Sequence, residues 1–248
     1  MKFIRRFASI IYLIWCMLIF ISSMILVLPF ILISTTLFKG KQAHQFGFVF
    51  LRIWGWIFST LNLFLISRKV SPNLNLNRSH IFVSNHNSYL DSVALVKSSP
   101  QAFKPLGKIE MLKVPVFGII YRRMVVLIDR KDKESRMRCI EDLKKDLALG
   151  LSILIFPEGT MNKTDEPLAE FYDGAFRLAI ETQTPILPVA IINARNLMPR
   201  KNMLLVKPGF IKCIYGDPIE VTGLNQEDLP ALKAKVHGIM TEMIVKAS

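Results

Sequence analysis

The first 90 residues contain no aspartate and no glutamate. Nine lysines and arginines there stand uncompensated, so that stretch carries +9 of the formal +13, while the rest holds 23 basic and 19 acidic residues. The basic excess lies beside Leu, Ile and Phe. That suits an anionic membrane surface and argues against nucleic acid, which would call for a basic face with polar or aromatic contacts. Cysteine is scarce: Cys16, Cys139 and Cys213 are odd in number and far apart. No pair has zinc-like or redox-like spacing, so they read as buried or membrane thiols in a reducing compartment. The chain has no G-x-S-x-G, no G-x-x-x-x-G-K-[ST], no G-x-G-x-x-G and no H-E-x-x-H. These absences disfavour serine hydrolases, P-loop NTPases, dinucleotide enzymes and zinc proteases. There is no internal repeat and no low-complexity tract.

Charge is also missing from Phe7 to Phe38. As one helix the run would be about 48 Å long, more than the ~30 Å hydrocarbon core of a bilayer. It is too long for a signal peptide, although Lys2, Arg5 and Arg6 precede it. Pro29 predicts a kink or break. A second apolar stretch, residues 46–66, contains Arg52, Trp54 and Trp56, which favours an interfacial or amphipathic helix over a clean span. Basic residues flank both stretches, at Lys2, Arg5, Arg6, Lys39, Lys41, Arg68 and Lys69. A helical hairpin or a pair dipping into one leaflet would put them all on the cytoplasmic side; the alternative is one spanning helix followed by a buried helix of the domain. Mean hydropathy of +0.36 agrees with a membrane protein.

Beyond about Val70 short apolar runs alternate with amphipathic ones. Strands are expected at residues 80–84, 125–128, 152–156, 186–192, 203–207 and 211–215. Helices are expected at 90–97, 134–149, 174–182 and 227–245. The expected fold is α/β: a mixed, largely parallel sheet flanked by helices over 70–248, after a membrane-embedded or interfacial helical segment over 1–69. Residues 71–80 read as a linker.

Three stretches carry chemistry. In "IFVSNHNSYLDSVAL", His86 lies just past a strand end, where α/β folds place ligands. Asp91 falls in the first turn of the next helix. It could fix the imidazole tautomer and stabilise an imidazolium, and such a dyad could activate a substrate hydroxyl directly. Ser88-x-x-Asp91 is equally a capping box, and the spacing alone leaves both readings open. In "LSILIFPEGTMN", Pro157 stops a strand and Glu158-Gly159-Thr160 makes a polar turn in which Gly159 allows close approach of backbone N–H groups to a ligand oxygen; an ordinary strand exit looks the same. In residues 107–130, Lys108, Lys113, Arg122, Arg123 and Arg130 form either a solvated basic face or an anion pocket.

Together these stretches resemble the glycerolipid acyltransferase family with the H-x-x-x-x-D motif, of the 1-acyl-sn-glycerol-3-phosphate acyltransferase type. "NHNSYLD", "VPVFGIIYRRMVVLIDR", "FPEGT" and "ILPVAI" are similar to its four blocks, in order, over about half the chain. The resemblance implies an O-acyltransferase in which His86 deprotonates the acceptor hydroxyl and Asp91 orients it. It implies an acyl-CoA or acyl-carrier-protein donor, a lysophospholipid acceptor and phosphatidic acid as product. It places Asn85, Lys108, Arg123, Arg130, Glu158, Gly159 and Thr160 among the substrate-binding residues, needs no metal or prosthetic group, and sets the domain at the cytoplasmic face of a membrane. Two positions depart from the family pattern. Met161 stands where many members have Arg, and Asp173 stands where a basic residue often precedes Gly-Ala. Lys163, Arg177 or the 122–130 cluster would compensate, or the acceptor is another lysolipid, such as a lyso-aminolipid without a phosphate monoester. A catalytically silent lipid-binding membrane protein is the alternative of a different class.

Overall fold

The computed structural model describes residues 2–247, with side chains from Arg6 onward, so Lys2 and Arg5 of the first basic cluster fall outside the described side chains. Two long helices open the chain, α1 (Lys2–Leu37) and α2 (Gly40–Leu61). The apolar run forms a single helix through Pro29, without the break that proline predicts. Among the described residues α1 is the one helix long and apolar enough to cross a membrane, over Arg6–Leu37.

Seven strands follow: β1 (Phe64–Val70), β2 (Ile81–Ser84), β3 (Phe103–Lys108), β4 (Val126–Ile128), β5 (Ser152–Ile155), β6 (Ile186–Ile192) and β7 (Gly209–Tyr215). They form one sheet in the order β1-β7-β6-β2-β5-β3-β4. All pairings are parallel except β6 with β7. Helices α3 (Leu90–Ser98), α4 (Phe117–Met124), α5 (Lys133–Ala148), α6 (Gly174–Thr182), α7 (Ala194–Leu197) and α8 (Leu229–Ala247) complete the fold. This is the mixed, largely parallel α/β architecture expected from the alternating pattern.

The central strands are buried on both faces, which is why they read as unbroken apolar runs. Strand pleat sends alternate side chains to opposite sides. Phe82, Phe103, Leu154 and Leu187 pack with α1, α2 and α3. Ile81, Val83, Ile153, Ile155 and Ile186 pack with α5, α6 and α8. Each such side chain contributes roughly 1.5–3 kcal/mol by leaving water. The N-terminal helices therefore close one face of the core: Met24, Val27, Ile31, Phe48, Trp54 and Phe58 are all buried in it.

The charge in the second apolar stretch has a structural partner. Arg52 Nη2 donates to the Ser99 carbonyl at 2.9 Å, and Arg68 Nη1 donates to the Ser98 carbonyl at 3.2 Å. Two arginines from different elements thus satisfy carbonyls at the C-terminal end of α3, where cations are favoured.

Three local expectations need correction. Residues 203–207 form a 3-10 turn at Met203–Leu205, because the Asn202 side chain accepts from Leu204 N and both flanks of β6 are already paired. The sheet also starts earlier than Val70: β1 is an edge strand, paired with β7 from Phe64 to Val70. β3, "FKPLGK", is a strand despite its Pro and Gly. β5 pairs with Phe103–Pro105 and β4 with Leu106–Lys108, so Pro105 sits where the ladder changes hands.

Candidate active site

β2 lies between β6 and β5, and the loops following β2 and β5 leave the same end of the sheet. Residues 85–91 and 156–162 therefore meet above the carboxyl ends of neighbouring parallel strands.

His86 Nδ1 lies 2.9 Å from Asp91 Oδ2. The same oxygen accepts the backbone N–H groups of Asn87 at 2.7 Å and Ser88 at 2.8 Å. Asp91 is fully buried, and its Oδ1 has no partner among the described residues. The capping box itself does not form: α3 is capped at Tyr89 without a side-chain bond, and Ser88 Oγ accepts from Leu90 N–H at 3.2 Å. One Asp91 oxygen nevertheless closes the turn and holds the imidazole. An acceptor at Nδ1 places the proton there, leaving Nε2 as the basic nitrogen. Nε2 makes no hydrogen bond among the described residues. The ring stacks on Phe156, with centroids 4.1 Å apart.

The β5 loop grips the backbone of His86 from two sides. Glu158 Oε1 accepts His86 N–H at 2.7 Å, and Asn162 N–H donates to the His86 carbonyl at 2.6 Å. Glu158 Oε2 accepts Ala169 N–H at 2.8 Å. Burial raises the Glu158 carboxyl above its ordinary range, opposed by those two N–H groups and by the nearby imidazole. Asn85 is buried too: its Nδ2 donates to the Ile191 carbonyl at 2.9 Å and its Oδ1 accepts Ile191 N–H at 2.7 Å. Asn85 thus fastens the histidine turn to strand β6 and Glu158 fastens it to the loop after β5, and both present little polar surface to a ligand.

Gly159 has φ +69°, and a Cβ there would meet the Tyr172 ring at 2.8 Å. Its N–H is taken by the Phe156 carbonyl at 3.0 Å, so glycine is needed for the turn's conformation. Arg130 Nη1 donates to the Gly159 carbonyl. Thr160 is exposed on the same turn. Lys108 and Arg123 are exposed, and neither contacts this turn among the described residues. Of the departures, Asp173 is held by Lys233 Nζ at 2.7 Å, an ion pair between α6 and α8. The Met161 carbonyl accepts from Arg200 Nη1 at 2.5 Å. Sequence reasoning missed Arg200 and Asn162, because nothing in their local pattern marks them. Among the described residues no cluster of three His, Cys, Asp or Glu side chains could hold a metal ion.

A family model described as Acyltransferase matches residues 68–192. The chloroplastic 1-acyl-sn-glycerol-3-phosphate acyltransferase BAT2 of Brassica napus is 33% identical over 140 residues, 56% of this chain and 40% of that protein. The 1-acyl-sn-glycerol-3-phosphate acyltransferase of Haemophilus influenzae is 27% identical over 210 residues, 84% of this chain and 85% of that one. The chain thus spans less than half the plant protein and most of the bacterial one. The crystal structure of the 1-acyl-sn-glycerophosphate acyltransferase PlsC from Thermotoga maritima superposes with a TM-score of 0.81. It covers 98% of this chain and 97% of that one at 22% identity, a likeness of fold.

Proposed function

Because the chain belongs to the acyltransferase family, we propose that it is a membrane-bound O-acyltransferase that esterifies the free hydroxyl of 1-acyl-sn-glycerol 3-phosphate, forming phosphatidic acid for phospholipid synthesis. The observation that carries this reading is the His86–Asp91 pair, with Nδ1 held at 2.9 Å and Nε2 unengaged among the described residues.

In the proposed reaction, the Nε2 lone pair takes the proton of the acceptor hydroxyl as its oxygen attacks the thioester carbonyl of acyl-CoA or acyl-carrier protein. Asp91 stabilises the imidazolium so formed. The tetrahedral intermediate collapses, the C–S bond breaks, and Nε2–H returns the proton to the departing thiolate. Thr160 and Met161 each carry a backbone N–H with no acceptor among the described residues, and these are our candidates for stabilising the oxyanion. One such donor is typically worth ~2.7–4 kcal/mol. Arg130, fixed to the Gly159 carbonyl, brings a cation to the same turn.

The membrane part of the proposal rests on α1. Phe7, Ile14, Leu18, Ile25 and Ile33 are exposed on a face opposite the buried Cys16, Met24, Val27 and Ile31. A bare apolar face of that length needs lipid to cover it. We place the domain on the cytoplasmic side, where anionic lipid meets the basic residues flanking the helices.

The test is acyl transfer by the purified protein in vesicles, with a thioester donor and a panel of lysolipid acceptors. His86→Ala runs alongside. Product from wild type alone, made from lysophosphatidic acid, is the expected result. Product from an acceptor without a phosphate monoester, in preference to lysophosphatidic acid, would replace the acceptor while keeping the chemistry. Absence of product with every acceptor and both carriers would end the reading.

A further inference from the structure

Residues 156–173, between β5 and α6, contain no helix or strand. A connection of that length is uncommon in a compact domain unless it serves a function or is disordered. This one carries Glu158 and Asn162, which hold His86, so it must itself be held. Part of the hold is internal. Asn162 is buried, and its side chain donates to the Glu166 carbonyl at 3.0 Å and accepts the Thr164 N–H at 2.8 Å and hydroxyl at 2.7 Å. Part comes from outside. Arg200, in the segment after α7, donates from Nη1 to the Met161 carbonyl at 2.5 Å.

An arginine on a loop carbonyl is ordinary by itself, since most side-chain hydrogen bonds go to backbone or water. What sets this one apart is where the bonds continue. The Met161 carbonyl and the Asn162 N–H belong to one trans peptide unit and point opposite ways. That N–H donates to the His86 carbonyl at 2.6 Å. The His86 carbonyl shares its own peptide unit with the Asn87 N–H, which donates to Asp91 Oδ2 at 2.7 Å. Asp91 Oδ2 is the oxygen 2.9 Å from His86 Nδ1. Three hydrogen bonds therefore run head to tail through two peptide units, from a guanidinium to the carboxylate that holds the imidazole.

Both ends strengthen the chain. A cation on the first carbonyl draws charge from the amide nitrogen and makes its N–H a better donor, and a carboxylate is the stronger acceptor at the far end. Aligned peptide dipoles polarise one another where screening is weak. Asp165, an acid in the same loop, pairs with Arg195 instead of Arg200. The segment carrying Arg200 is also tied to the histidine turn directly. Ser88 Oγ donates to the Met198 carbonyl at 3.0 Å, and Ser88 forms an antiparallel bridge with Pro199. The contacts thus close a ring, from Ser88 through residues 198–200 to Met161, Asn162 and His86.

We infer that Arg200 is a positioning residue of the acyl transfer. It acts through the peptides 161–162 and 86–87 to fix Asp91 Oδ2 and the His86 ring, without touching a substrate. Met161 takes part through its carbonyl alone. The inference rests on the acyl-transfer reading and deepens it.

The test uses the full chain in detergent, with an acyl-CoA donor and the lysolipid that wild type acylates fastest. Arg200→Met keeps an apolar stem and removes the charge and its donors. Arg200→Lys keeps one charged donor. Lys201→Met, at the exposed neighbouring residue, is the control for lost charge. Arg200→Met should lower kcat at least tenfold, with KM for both substrates within twofold of wild type, because a misplaced base costs rate rather than binding. Arg200→Lys should recover about a third or more of the wild-type kcat, and Lys201→Met should match wild type. A KM rise for either substrate with kcat retained makes Arg200 a substrate contact and overturns the inference. So does an unchanged kcat, or a lysine variant no better than methionine. Amide hydrogen exchange, followed by mass spectrometry, reads the same chain of bonds without turnover. In Arg200→Met it should quicken at residues 86–91 and 158–162 and stay as in wild type in β6. Faster exchange throughout the protein would mean general loosening and overturns the inference. If wild type shows no turnover with any acceptor, the acyl-transfer reading falls alone. Quickened exchange in those two stretches then still upholds Arg200 as the residue that positions His86, and unchanged exchange overturns it.

Discussion

Asp91 makes a substitution at one atom informative. In Asp91→Asn the amide oxygen can keep all three donors now on Oδ2, while the NH₂ takes the place of the unpartnered Oδ1. The tautomer survives and only the charge opposing the imidazolium is lost. Turnover should fall about 10²-fold, less than the ~10⁴ seen where an Asn forces the wrong tautomer. The thermal midpoint should barely move. A destabilised protein with near-normal kcat would show that Asp91 is only a turn closer. His86→Ala removes the proposed base and should lower kcat by at least ~10²–10⁴. Glu158→Gln tests the grip on His86. Gln offers one oxygen where two N–H groups need acceptors, so one donor faces an NH₂. Expected are a loss of ~1–3 kcal/mol in unfolding free energy and at least a tenfold drop in kcat. Unchanged kcat would mean that the turn holds without the carboxylate.

At the scale of elements, the central strands were legible because burial on both faces leaves a continuous apolar run, and α6 was legible from its apolar periodicity. β1 was not, because its sequence "FLISRKV" runs on from an apolar helix and its outer edge is solvent-facing. β3 was hidden by Pro105 and Gly107, and the contact that requires Gly107 lies in another element: a Cβ there would meet the Tyr121 hydroxyl at 1.8 Å. The pairing of His86 with Asp91 could be read from spacing, whereas its clamping by Ile191, Glu158 and Asn162 depends on strand order, which no local pattern encodes. Gly118 gives a firm structural test. A Cβ there would lie 2.2 Å from the Leu112 carbonyl oxygen, a backbone atom that cannot step aside. Gly118→Ala should therefore displace α4 from the preceding 3-10 turn at Ile109–Lys113 and lower the thermal midpoint; an unchanged midpoint would contradict the packing at that junction.

His80, at the entry to β2, adds a pH dependence. Burial, and then Arg78, push its imidazole down to about 4, with Glu220 partly opposing. Nδ1 lies 3.1 Å from the Gln101 amide nitrogen, which needs it as an acceptor. The unfolded chain binds a proton near pH 6.5 and the folded one does so only near 4. The stability due to neutral His80 is thus complete above about pH 6.5 and is lost as pH falls toward 4. His80→Gln keeps an acceptor for Gln101 and should flatten that acid slope, read from thermal midpoints between pH 7.5 and 4.5. Parallel slopes for the two proteins would remove His80 as the cause.

For the whole molecule, the N-terminal helices are part of the core as well as the proposed link to lipid. Phe48, Trp54 and Phe58 of α2 and Met24 and Ile31 of α1 share one cluster with Phe82 and Phe103 of the sheet. Deleting residues 1–61 would uncover much of one face of the sheet, leaving α3 among its remaining helical cover. The truncated chain should aggregate in the absence of detergent, as seen by gel filtration; a soluble, monodisperse fragment would show that the helices are a detachable anchor.

The strand order also sets a sequence of events in time. Helix α1 leaves the ribosome before the sheet, whereas His86 is clamped by Ala169 through Glu158 and by Ile191 through Asn85. At 5–20 residues per second, on the order of ten seconds of synthesis separate the two. On the proposed reading, a nascent chain would therefore meet lipid well before its candidate base is clamped, and catalysis would begin only in a chain that is already seated.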